Sequence, residues 1–272
     1  MPQEIVSATG IAAAVGSKLV LDVCGPTAKY LGGELRQFAE VSVNNLKKVF
    51  KFAAEYVQRG NKTEGQVPPR VLRDVLNEGY FCEDELMASY LGGILASAKG
   101  PVSRDDRAVA HCALISSLSS YQVRTHYILY SCILKASEIA NFPKAGIKDF
   151  VEWVRRHNGG TVLIRESDYL RAMDFSENED SAVIAEHTFI GLQQKGLLEG
   201  GTKVCHPNLS YRRQPIEPFR SFHPTEFGIE LFLWGLGLGD RGIASYSPEN
   251  FPNLLPPTIE PLRVELDRTT YS

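Results

Sequence analysis

The chain has 272 residues, 43% hydrophobic and 22% charged, which fits one large or two ordinary soluble domains and excludes a disordered or coiled-coil class. Its net charge of −3 and pI near 6.1 exclude a global basic field that would draw it to nucleic acid or anionic lipid. Five scattered cysteines, Cys24, Cys82, Cys112, Cys132 and Cys205, read as reduced thiols that fill core positions in a cytoplasmic protein.

Ile5–Cys24 is apolar and rich in small residues, with Ala12 and Gly16 spaced for close helix packing. Lys18 and Asp22 interrupt it, so a buried or oligomer-forming helix is the first reading and membrane insertion through 5–24 the alternative. After the Cys24-Gly25-Pro26 break, with Thr27 as a cap, the spacing predicts a long helix from Ala28 to Arg59. Its broad apolar face includes Tyr30, Leu35, Phe38, Phe50 and Val57, which we take as a candidate homo-oligomer face.

Pro68-Pro69 opens the next helix. The acidic hinge Glu83-Asp84-Glu85 starts another that runs to Ala98 and contains Gly92-Gly93 as close-packing positions. Ser103 caps a helix over Arg107–Ser117, and Tyr121–Ala136 forms a further apolar helix. No stretch before Phe142 alternates as a strand does, so residues 1–142 are expected to form a helical bundle.

The pattern changes after Asn141-Phe142-Pro143. A helix over Ile147–His157 precedes a β-branched strand at Thr161–Ile164, two helices at Glu166–Met173 and Ser181–Lys195, and a strand at Phe219–Phe222. Thr225 caps a last apolar helix through Trp234. The order over 143–239 resembles a winged helix-turn-helix domain, and 240–272 reads as an extended Pro-rich tail. The fold class is therefore mainly α: a helical bundle, then a winged-helix-like α+β domain, then the tail.

In the first half, Glu85-Leu86, Met87, Tyr90, Leu91, Leu95 and Ala96, then His111, Leu114, Ile115, Leu118 and Ser119, follow a characteristic order. This order resembles the abortive-infection alpha family of bacterial phage-defence proteins. Leu91-Gly92-Gly93-Ile94 and Ser119-Ser120-Tyr121 depart from the family's pattern. The resemblance implies a role in phage defence and carries no agreed chemistry.

No nucleophile, phosphate-loop, dinucleotide or paired-carboxylate motif is present, so no catalytic residue, cofactor or metal is expected. Cys205-His206 lacks the short paired spacing of a structural zinc site, and Arg104-Asp105-Asp106-Arg107 with His111 reads as helix-start charges beside a core-edge neighbour. The helix that would read DNA is preceded by Glu177, Glu179 and Asp180, contains Glu186 and His187, and has only Lys195 at its far end. Nucleic acid is thus an improbable partner. Candidate protein-binding residues are Glu83, Asp84 and Glu85 at the hinge and Arg212, Arg213 and Arg220 near the wing. The expectation is a non-enzymatic oligomerising adaptor that binds a protein partner. A membrane-damaging effector and, less favoured, a winged-helix DNA-binding regulator are the alternatives.

Overall fold

The computed structural model describes residues 43–60, 64–102, 104–139, 146–158, 162–199, 204–205, 218–239 and 242. The expected apolar helix at 5–24, the first part of the long helix, the boundary at 141–143 and nearly all of the tail lie outside them. The described residues are mainly helical with a small antiparallel sheet. Backbone packing divides the chain into two compact units, one ending at Ser117 and resuming at Leu233, the other spanning Leu118–Phe232.

The first unit opens with α1 (Val43–Arg59). Leu46, Val49, Phe50, Ala53 and Val57 recur at three- and four-residue steps and are buried, while Lys51 is exposed. Helix α2 (Pro69–Tyr80) starts with proline at its first position, where no amide donor is needed. Helix α3 (Glu85–Ala98) follows the hinge, with α4 (Ala108–Ser116) after it. Paired backbone bonds between Gln66 and Gly100, at 2.9 and 3.2 Å, close the α2–α3 segment at its base.

Helix α3 is the centre of this unit. Every residue from Ala88 to Ala98 is buried, as a helix apolar on all sides requires. Its glycines let backbones approach. A methyl at Gly92 would lie 2.7 Å from the Val49 carbonyl oxygen of α1, and one at Gly93 would lie 1.8 Å from the Gly235 carbonyl oxygen. The segment from Leu233 adds to the packing: Ser97 Oγ donates to the Trp234 carbonyl at 3.1 Å and accepts from the Gly239 amide at 3.1 Å.

The second unit contains α5 (Ser120–Ile139), α6 (Ile147–Asn158), β1 (Val162–Arg165), α7 (Glu166–Met173), α8 (Ser181–Gln194), β2 (Leu198–Glu199), β3 (Val204–Cys205), β4 (Phe219–Pro224) and the start of α9 (Glu226–Gly235). Helix α5 packs against α7 and α8, so it belongs with these elements rather than with α1–α4. On it Val123, Ile128, Leu129 and Tyr130 are buried.

Strand β4 is central. Antiparallel β1 lines one edge, with Ile164 opposite Arg220, while β2 and β3 follow each other along the other edge. β2 sets Leu198 opposite Pro224, and β3 sets Val204 opposite Arg220. Alternation along β4 turns Arg220, Phe222 and Pro224 inward.

Candidate functional site

At the α2–α3 turn the three hinge carboxylates separate in role. Asp84 caps α3, its side chain accepting from the Met87 amide at 2.8 Å, and the helix proper begins at Glu85. Glu83 and Glu85 are exposed, and the Glu83 carbonyl accepts from Lys48 Nζ at 2.9 Å. Between helix and cap, Cys82 is buried, and desolvation together with the Asp84 charge pushes its thiol up to about 12. A thiol held neutral in this way is no nucleophile. Phe81 beside it is exposed, its ring edge-on to Tyr80 at 4.5 Å.

The Arg104–His111 stretch closes on itself. Helix α4 begins at Ala108, one residue later than the spacing predicts, and Ser103 lies outside the described residues. Arg107 grips Asp105 with two nitrogens, each at 2.7 Å, and this hydrogen bonding lowers the Asp105 pKa. Arg70 holds Asp106 at 2.9 Å. His111 is buried and stacked on Trp234, with ring centres 4.6 Å apart. Burial, aided by the Arg107 charge, pushes its pKa down to about 4. It is a neutral core residue.

In the second unit Arg220 does not serve as a surface wing contact. The period-2 alternation of β4 turns it inward, where it is 3% exposed and pairs with Glu166 through Nε to Oε2 and through Nη2 to Oε1 at 2.6 Å. Its guanidinium also lies 5.2 Å from the Tyr169 ring centre and 5.1 Å from that of Phe189. Arg220 therefore pins β4 to α7 and α8. Arg212 and Arg213 lie outside the described residues, as do Tyr30, Leu35 and Phe38. Phe50 and Val57 are buried inside the first unit.

A second buried set fixes the end of α8 to the start of α9. Tyr130 donates to the Leu197 carbonyl at 2.6 Å and accepts from the Thr225 amide at 3.1 Å; burial raises its pKa. Thr225 caps α9 by accepting from the Gly228 amide at 2.9 Å, and its hydroxyl donates to the Gly196 carbonyl at 2.8 Å. His126, fully buried, meets the Gly228 carbonyl at 3.0 Å, and burial drives its pKa down to about 3. These groups hold backbone.

What this frame presents outward is one face of α8. Asp180 caps the helix, accepting from the Val183 amide at 3.1 Å. Ala185, Thr188, Phe189, Gly191 and Leu192 are buried, and the opposite stripe of Val183, Glu186, His187, Ile190 and Gln194 is exposed. Val183 is 63% and Ile190 39% exposed. With Ala182, four of these residues line a shallow open depression. No lysine or arginine occurs within α8. Such a face can bury apolar surface and exchange one acid–imidazole hydrogen bond, but offers no cation to a phosphate. The sequence did not isolate it, because Ala182, Val183, Ile184, Ala185, Phe189 and Ile190 place apolar groups all around the helix.

Among the described residues, no three His, Cys, Asp or Glu side chains gather as a metal ion requires. No described helix is long and apolar enough to cross a membrane; the segment 5–24 is outside those residues. No family model, curated protein or solved structure matches the chain.

Proposed function

We propose that the chain is a non-enzymatic adaptor whose second unit is a winged-helix module turned to protein recognition. Two features support the winged-helix reading. The element order is helix, strand, helix, helix, strand, hairpin strand, and β4 lies between β1 and the β2–β3 edge. In that reading α8 takes the place of the groove-reading helix. One observation carries the choice of partner: the outward stripe of α8 is Val183, Glu186, His187 and Ile190, with carboxylates before it and no cation within it. A duplex would meet repulsion there, whereas a protein surface would bury the two aliphatic side chains. The likeness of 85–119 to the abortive-infection alpha family supplies the setting, bacterial phage defence.

The test uses the full chain with a photoreactive amino acid at position 183, expressed in bacteria with and without phage. The expected result is covalent capture of protein at that position. In parallel, the purified chain is titrated against a fluorescent 20-base-pair duplex at low salt. Micromolar, salt-sensitive retention of the duplex that is lost on Glu substitution of α8 residues would overturn the protein-binding reading.

A further inference from the structure

We draw no further inference here: the strongest candidate, the outward face of α8 formed by Val183, Glu186, His187 and Ile190, belongs to the site already described, and nothing in the structure shows what covers it.

Discussion

Helices α3 and α8 have the same length and similar apolar content, yet the fold uses them in opposite ways. Helix α3 is enclosed: from Ala88 to Ala98 nothing is exposed, and Gly92 and Gly93 allow neighbouring backbone to come within contact of it. Helix α8 is half-enclosed, with Ala185, Phe189 and Leu192 inside and Val183 and Ile190 outside. Apolar residues around a whole helix thus have two meanings. They can mark a helix surrounded by others, or one that leaves an apolar face exposed. Glycine separates the cases here. In α3 two adjacent glycines meet backbone, whereas the one glycine of α8, Gly191, sits on its buried side against Gln122.

The comparison can be broken most severely at the buried pin beneath α8. Arg220→Ala removes a buried side chain and leaves the part-buried Glu166 without its partner, and should cost about 3 kcal/mol, measured by urea unfolding. The paired change Arg220→Met with Glu166→Leu should recover most of that loss, because it removes both charges.

Next in size is the glycine seat of α3. Gly93→Ala drives a methyl into the Gly235 carbonyl and should destabilise by about 3 kcal/mol. Ile190→Ala on the open face of α8 should change stability by only about 0.5 kcal/mol or less, and thermal melting of the two variants side by side checks the contrast. Equal losses would remove the distinction between the two helices.

Acid distinguishes the two units through one buried histidine in each. His111 and His126 have folded pKa values near 4 and 3, below the unfolded value near 6.5, so the unfolded chain takes up protons first as pH falls. Their influence is absent above about pH 6.5 and grows as pH drops towards the folded values. Between pH 6.5 and 5 each histidine should cost about 2 kcal/mol of stability, seen as a falling urea midpoint. His111→Phe should flatten the part of this slope that belongs to the first unit, and His126→Phe the part that belongs to the second.

Local signals were legible wherever they depend on nearest neighbours along the chain. Pro69 opens α2, Asp84 starts α3 as an acidic cap, Thr225 starts α9, and the β-branched Val162–Ile164 run forms a strand. Each is decided by an interaction within one turn or one strand. Arg220 was misread as a surface cation because the type of residue favours solvent. Its side is set by strand register, and its burial by a glutamate 54 positions away. The stripe on α8 was hidden for a related reason. A helix apolar on every side carries no internal statement of which side the protein will cover.

By itself, then, the sequence determined a chain of helices with one small strand-bearing region, the residues that start those helices, and the lack of basic character in α8. Tertiary structure alone decided that α5 packs with α7 and α8, that Arg220 faces inward, and that Val183, Glu186, His187 and Ile190 face outward. The division has a physical cause. Caps, turns and periodicity act over a few residues, whereas the choice of which apolar face to bury depends on the shape of distant segments that come to cover it.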